Sequence, residues 1–471
     1  MTDHLVVLLG GRRVGLVERD RNDSMSFSYD PEYRTAALSL SPALPLGDRR
    51  FADRDIRAFM EGLLPDDPQV RLLWASKFGV TDDAFDLLTH MGQECAGAVQ
   101  FAREEDLAEL IAGGGDYRRV DPKHIGARLK ALREAATHSR WTLPDEHWSL
   151  PGAQPKFTLA RIGDAWYEAH GAAATTHIIK PGISLMRHQA AVEFATMRAA
   201  KRLGLSVAEV DFDDFNGEGA IVVRRFDRIV VDGEIRRIHQ VDMCQALGQP
   251  PSRKYERDGG PTGKQIADLL RSQSTRPDAD VRRFSNALLF NYLSGSSDGH
   301  AKNFSLLIAG SQVRLSPLYD LATGLPYEAR DAPNYSAFAI GGVRNFGEAY
   351  PKHWRQHAAE MGLDADERIA FIVDLAARMP DAFRDSMLSD IGGDLGKLLW
   401  RRTSERPGRL VSHCKSVEQR IGESRAGQGS AGGASKARGK STPASNRTSF
   451  KARERGESAV SLGEPDIEGD R

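Results

Sequence analysis

Cysteine is scarce in this chain: three residues in 471, Cys95, Cys244 and Cys414, stand far apart with no His or Cys companions at metal spacing. An odd, sparse set excludes a disulfide framework and a zinc site and suits a reducing compartment. Long apolar runs are missing too, so no segment reaches membrane-spanning length. The opening MTDHLVVLLGGRRVG has a short apolar run, but no basic segment precedes it and no small-residue cleavage site follows. It reads as a strand rather than a signal peptide. Nor is there a surplus of either charge, with 64 Lys and Arg against 65 Asp and Glu, so nothing global points to nucleic acid or membrane. The expectation is a soluble, cytoplasmic protein.

The length suits two or three domains around a substantial core. Up to about Arg103, LVVLLGGRRVGLVERD and MSFSYDPEY predict a strand, a Gly-Gly turn and two more strands. FADRDIRAFMEGLLPDDPQVRLLWASKFGV predicts two helices broken at Pro65 and Pro68, and ECAGAVQF a closing strand. This region carries no acid–base pair or phosphate loop and reads as a scaffold or interaction module. From Asp242 to about Ile421 the pattern is mostly helical, interrupted by SRKYERDGGPTG and by a long segment after Asp320. Beyond Gly422 the chain is rich in Ser, Gly, Ala and basic residues, with too little apolar surface to offset the entropy of ordering, which predicts a disordered tail.

The chemistry concentrates in Ser294 to Ala322. Asp298 is followed by Asn303 and then, beyond a predicted hairpin, by Asp320. This spacing serves a phosphotransferase: one carboxylate orients or deprotonates the attacking hydroxyl, while an amide and a second carboxylate hold Mg²⁺ against nucleotide phosphates. The His-Arg that commonly precedes the first aspartate, and the Phe-Gly that follows the second, are both missing. Spacing alone does not decide, because Asp211, Asn216 and Asp227 repeat it. There, however, Asn216-Gly217 is a hairpin turn between alternating strands, whereas Asp298 follows the helical pattern VRRFSNALLFNYL.

Upstream, SLPGAQPK lies between strand-like segments, FTLARIGDAWYEA reads as a hairpin turning at Gly163-Asp164, and THIIKPG ends a strand at Lys180. A loop over phosphates and a strand lysine reaching the same site would fit, since lysine acts on phosphates as a compact point charge. Taken one at a time, Lys156 and Lys180 read first as solvated strand-end lysines; two lysines flanking a Gly/Pro/Gln loop shift the balance toward a site. Glu193, early in the helical HQAAVEFATMRAAKRLGL, is a candidate partner for Lys180 and equally a surface glutamate. The hairpin VAEVDFDDFNGEGAIVVRRFDR would end in a connector between lobes, with Asp227 in reach of a ribose hydroxyl.

Six motifs in order, SLPGAQPK, THIIKP, VVRRFDR, DMCQALGQPPSRKYERDGGP, SSDGHAKNFS and LSPLYDL, resemble the HipA family, the serine/threonine kinase toxins of bacterial type II toxin–antitoxin modules. The resemblance runs from FMEGLLPDD and ECAGAVQF to about residue 420. It implies an α+β fold, two-lobed and protein-kinase-like (HipA-like), with an extra N-terminal α/β domain and a mainly helical C-lobe. The corresponding divisions are 1–104 for the N-terminal domain, 105–240 for a linker helix and the ATP-cradling N-lobe, 241–421 for the catalytic C-lobe and 422–471 for the tail.

By the same resemblance Asp298 matches the catalytic base, Asn303 and Asp320 the Mg²⁺ ligands, and Lys180 the phosphate-binding lysine. Pro151, Gly152, Ala153, Gln154, Pro155 and Lys156 match the loop that closes over ATP. Arg224, Arg225 and Phe226 occupy the adenine-binding connector, and Asp227, His300 and Tyr319 fall at nucleotide-proximal positions. A better-known relative has a glutamate where Arg224 stands; adenine is held there through backbone groups, so ATP binding is expected to survive. Ser149 matches an autophosphorylated serine, whose phosphate would repel the ATP loop and switch the kinase off. The implied cofactors are ATP and Mg²⁺. The implied partners are a small HipB-like helix-turn-helix antitoxin, through which alone the protein would meet DNA, and a protein substrate such as glutamyl-tRNA synthetase, whose modification arrests growth and favours persistence. Two other readings stand beside this one: a small-molecule or lipid kinase on the same fold, and a pseudokinase co-repressor.

Overall fold

The computed structural model describes residues 3–34, 38–113, 115–134, 146–183, 186–327, 333–404 and 410–430. Asp3–Leu9 (β1) and Arg12–Arg19 (β2) form a hairpin whose turn, Gly10-Gly11, has φ of 59° and 77°, where glycine alone is unstrained. With Met25–Tyr29 (β3) at one edge, β1 is second from the other edge of a four-stranded sheet. Its apolar run is unbroken because both faces are covered. Leu5, Val7 and Leu9 enter the main core, while Val6 and Leu8 enter a smaller cluster with Ala102 and Leu110.

The stretch from Phe51 to Val80 forms the two expected helices, Asp53–Glu61 (α1) and Pro68–Phe78 (α2), and a third that the sequence reading did not mark, Ala84–Met91 (α3), follows it. Pro68 does not break a helix but opens α2, where its missing N–H is no loss, beside an Asp67 cap that accepts from Gln69 N–H at 2.8 Å. The break between α1 and α2 contains Pro65 and Asp66. ECAGAVQF is not one strand but two, Glu94–Cys95 (β4) and Val99–Ala102 (β5), and only β5 joins the N-terminal sheet.

After Leu107–Ile111 (α4), Gly115–Val120 (β6) leads to Pro122–Glu134 (α5). The next strands are Trp148–Ser149 (β7), Phe157–Ile162 (β8), Ala165–Gly171 (β9) and His177–Lys180 (β10). Gln189–Arg202 (α6) precedes Val210–Phe215 (β11) and Glu218–Arg224 (β12). Six of these strands make an antiparallel sheet in the order β11-β12-β10-β8-β9-β6, with α6 against β11 and β12. The β11–β12 turn puts Asn216 at φ 60°, so the Asp211/Asn216 pair is split between a strand and a turn.

Arg228–Val231 (β13) and Glu234–Arg237 (β14) then form a short hairpin, and His239–Asp242 (β15) runs into Met243–Ala246 (α7). Gly263–Gln273 (α8) and Pro277–Ser294 (α9) follow. Ser305–Ala309 (β16) and Gln312–Leu315 (β17) pair with β15 in a three-stranded sheet. The long segment after Asp320 holds a hairpin, Tyr335–Ile340 (β18) and Val343–Asn345 (β19), and a helix, Pro351–Glu360 (α10). Ala365–Asp385 (α11) passes through a wide turn at Ser386–Ile391 into Gly393–Ser404 (α12).

One hydrophobic core runs unbroken from Leu5 to Ile421, so the N-terminal region is packed into the same unit as the rest. The last helix, Leu410–Ser430 (α13), enters the stretch from 422 expected to be unstructured; residues 431–471 lie outside the described residues. Among the described residues, no helix is long and apolar enough to cross a membrane.

Candidate active site

Helix α9 is stopped by Gly295, at φ 68°, and the chain turns directly into the Asp298 loop. A tight turn at Ala301–Asn303 then returns it to β16. The loop is cross-braced by the Asn303 side chain, whose Nδ2 donates to the Asp298 carbonyl at 2.8 Å. Asp298 sends its carboxylate outward, with 69% of the side chain exposed, and it receives a hydrogen bond from the Tyr255 hydroxyl. His300 beside it is buried, and burial lowers its pKa to about 4, so it is neutral at physiological pH.

Behind this loop the two lobes enclose a cavity. Lys180, at the end of β10, is 3% exposed and sets its Nζ 2.8 Å from Glu193 Oε1 on α6 while also donating to Asp320. Glu193 is therefore a buried partner of Lys180 and not a surface residue. Burial, and then the Asp320 charge, push its carboxyl up against the pull of Lys180. Asp320 stands in the left-handed region at φ 54°, a strained setting for a non-glycine residue. Burial works to raise its pKa, but Lys180 and Lys156 prevail and hold the carboxylate below its ordinary range.

The loop 151–156 forms the roof. Gly152 has φ 103°, a conformation strained for any residue with a Cβ, which favours glycine there. Lys156 Nζ donates to the Pro151 carbonyl, and burial with the nearby Lys180 lowers its pKa to about 8. Pro151, Gly152 and Lys156 line the cavity; Ala153, Gln154 and Pro155 do not. Gln154 instead reaches α6, donating to Gln189 Oε1 at 2.7 Å.

The connector contributes unequally. Arg224 extends outward to Glu209 at 2.8 Å and is more than half exposed. Arg225 turns into a buried ion cluster, meeting Glu94 at 2.8 Å and Asp227 at 2.9 Å, and Arg228 meets the same two carboxylates. Asp227 also accepts from the Gly97 N–H at 2.7 Å, so it is an anchor for the connector as well as part of the cavity wall. Phe226 packs on Tyr319, centroids 5.4 Å apart, and the Tyr319 hydroxyl donates to the Lys302 carbonyl at 2.7 Å.

Twelve of the sequence-selected residues line this one cavity, Lys180, Asn303 and Asp320 among them; Asp298 is not in the lining but stands 3.7 Å from His300, which is, and Ser149 and Glu193 are buried outside the lining. Ser149 is fully buried, its hydroxyl donating to the Leu63 carbonyl at 2.9 Å. An amide oxygen and a carboxylate on one cavity wall are the hard oxygen donors that Mg²⁺ takes, so Asn303 and Asp320 fit that ion. Two lysines beside them suit polyphosphate.

Sequence reasoning missed Asp66, Asp242, Tyr255 and Lys302. Lys302 sits inside the selected loop, and its buried ammonium pairs with Asp66, which Lys254 also meets at 2.8 Å. Asp242 and Gln245 had a local signal, the Asp-x-x-Gln of a capping box, and they cap α7 reciprocally.

Residues 148–383 match the HipA-like C-terminal domain, and residues 5–102 match the HipA N-terminal domain. Y4mE of Sinorhizobium fredii, a kinase by name, is 36% identical over 78% of this chain and 88% of its own length. The serine/threonine-protein kinase toxin HipA of Shewanella oneidensis is 30% identical over 81% of this chain and 88% of its own. The solved structure of HipA from Shewanella oneidensis MR-1, in complex with HipB and operator DNA, superposes with a TM-score of 0.74 at 26% identity. That match covers 90% of this chain and 99% of the solved one.

Proposed function

The chain belongs to the HipA family of serine/threonine kinases, and from that premise we propose that it transfers the γ-phosphoryl group of ATP to a serine or threonine of another protein. The Pγ–O bond to the β-phosphate breaks, a bond from Pγ to the acceptor oxygen forms, the hydroxyl proton passes to Asp298, and ADP leaves. The observation that carries this reading is the Glu193–Lys180–Asp320 chain of ion pairs on the cavity wall. It fixes a buried ammonium where phosphate oxygens would lie.

Asn303 and Asp320 would hold Mg²⁺, which neutralises phosphate charge when bound. Lys156 and Lys180 orient the phosphates, and the connector backbone from Arg224 to Phe226 holds adenine. Asp298, its carboxylate exposed, meets an acceptor arriving from solvent. In this reading the protein is a growth-inhibiting toxin, its substrate is a component of translation such as an aminoacyl-tRNA synthetase, and a HipB-like antitoxin restrains it. Ser149 is the off-switch: its hydroxyl is buried and held by the Leu63 carbonyl, so it takes a phosphate only once the adjoining loop opens, and the added charge then opposes the loop's return.

Phosphoproteomics after expression of wild type and Asp298→Gln tests this. The expected result is a phosphorylated translation protein, and phosphorylated Ser149, in the wild-type cells alone. Equal toxicity and equal labelling from Asp298→Gln would overturn the catalytic reading.

A further inference from the structure

The roof loop is held by the N-terminal domain as well as by the kinase lobes. Asp66, between α1 and α2, donates its backbone N–H to the Gly152 carbonyl at 3.1 Å, and Pro65 and Gly152 form a parallel bridge. Two residues earlier the Leu63 carbonyl takes the Ser149 hydroxyl. From the other side β4 pairs in parallel with β7, placing Glu94 against Trp148 and Cys95 against Ser149. The loop therefore leaves Ser149 already spliced to two segments of the N-terminal domain.

The side chain of Asp66 ties the same residue to the catalytic lobe. Its carboxylate, 11% exposed, meets Lys254 Nζ at 2.8 Å and also Lys302 Nζ, and Lys302 is 3% exposed within the Asp298–Asn303 loop. Burial works against this charge, yet Lys302 and Lys254 hold the carboxyl well below its ordinary range, so it stays ionised. One residue thus grips the roof with its backbone and the floor with its charge.

We infer that Asp66 is a latch: a positioning residue through which the N-terminal domain holds the phosphate loop closed over the cavity, with Lys302 and Lys254 as its fixed post. Without the carboxylate, the Leu63–Asp66 segment is no longer tied to the catalytic loop, and Gly152 loses the rigid edge it is paired with. The inference rests on the reading of 151–156 as the phosphate loop, but closure itself is measurable without turnover.

The test is amide hydrogen exchange on the full chain, wild type against Asp66→Asn, which keeps the backbone donor and the side-chain shape while removing the charge. The amides of 149–156 should exchange about tenfold faster or more in the variant, with those of α9 unaltered, because local opening is governed by the contacts of the opening unit alone. Unchanged exchange across 149–156 overturns the latch. Should the variant loosen the entire protein, Lys254→Met decides, since it strips one partner from the partly exposed side. Faster loop exchange there supports the latch, and unaltered loop exchange overturns it. Mg-ATP added to wild type separates the two readings: failure of nucleotide to slow the loop would sink the kinase assignment while leaving the latch standing.

Discussion

The Tyr255 hydroxyl donates its hydrogen bond to the Asp298 carboxylate, from a loop 43 residues earlier in the chain. Tyr255 is held by the edge of its ring against His300, centroids 4.9 Å apart at 84°, and by Arg257 over its face. This bond occupies one carboxylate oxygen of Asp298; under the proposed function, the other is the one that would meet an acceptor hydroxyl.

Replacing Tyr255 with Phe keeps the ring contacts and deletes that one bond. A hydrogen bond to a charged group is worth about 1.5–3 kcal/mol, so kcat should fall by about 10- to 100-fold, with KM for ATP nearly constant because the nucleotide cavity is untouched. Steady-state kinetics with a protein acceptor decides it. A raised kcat would mean that the phenol blocks the acceptor's seat rather than aiming the base.

Lys180 lies between two carboxylates, and the pairs predict a stability pattern independent of turnover. Lys180→Met leaves Glu193, 2% exposed, without its cation and facing Asp320. Removing one partner of a buried pair costs about 3–5 kcal/mol. The second change Glu193→Gln should recover a good part of that loss, since the orphaned charge goes with it. Urea unfolding of the two variants measures this, and a double variant no more stable than Lys180→Met alone would contradict the coupling.

Much of this site was legible because its parts are local. The helix before Asp298, the hairpin after it and the Asn216-Gly217 turn each follow from periodicity and turn chemistry within some twenty residues of sequence. The Glu193 partnership was readable as a candidate but not as a fact, because a helical glutamate is ordinarily solvated and only the tertiary packing of α6 on the sheet buries it. What stayed hidden is long-range charge compensation. Asp66 and Lys302 stand 236 residues apart, and Glu94 meets Arg225, Arg228 and Arg237. Each of these charges reads alone as a surface residue, since burial without a partner would be prohibitive. Edge strands escaped for the opposite reason: β6, GDYRRV, has no buried face and carries no alternation to detect. The β18–β19 hairpin did carry a signal, the Gly341-Gly342 turn between SAFAI and VRN, comparable to the one that located β1 and β2.

Lys156 makes the cavity pH-sensitive. Its pKa is lowered to about 8 by burial and the neighbouring Lys180, so in the free protein it loses its charge as pH rises through that value. The profile of kcat/KM for ATP, which reports groups on the free enzyme, should therefore fall above about pH 8. In Lys156→Arg the guanidinium stays charged, and the fall should disappear even if the absolute rate is lower. A wild-type profile flat from pH 7 to 10 would remove Lys156 from phosphate binding.

Asp242 supplies the same kind of argument for stability. Its Oδ1 caps α7, accepting from the Gln245 N–H at 2.8 Å, while its buried Oδ2 has no hydrogen-bond partner among the described residues. Burial raises its pKa from 3.8 to about 6, against the opposing pull of Lys302. A carboxyl that holds its proton more tightly when folded costs stability above about pH 6, where it must ionise in place. The cost fades as pH falls and is gone below the unfolded value near 4. Asp242→Asn keeps the cap and removes the ionisation. It should therefore be more stable than wild type at pH 7.5 by about 1–3 kcal/mol, with the gap closing by pH 4. Urea titrations at the two pH values test this: a gap that stays constant or widens toward pH 4 would show that Asp242 is ionised and satisfied in the folded protein, and that its role is to hold α7 by charge.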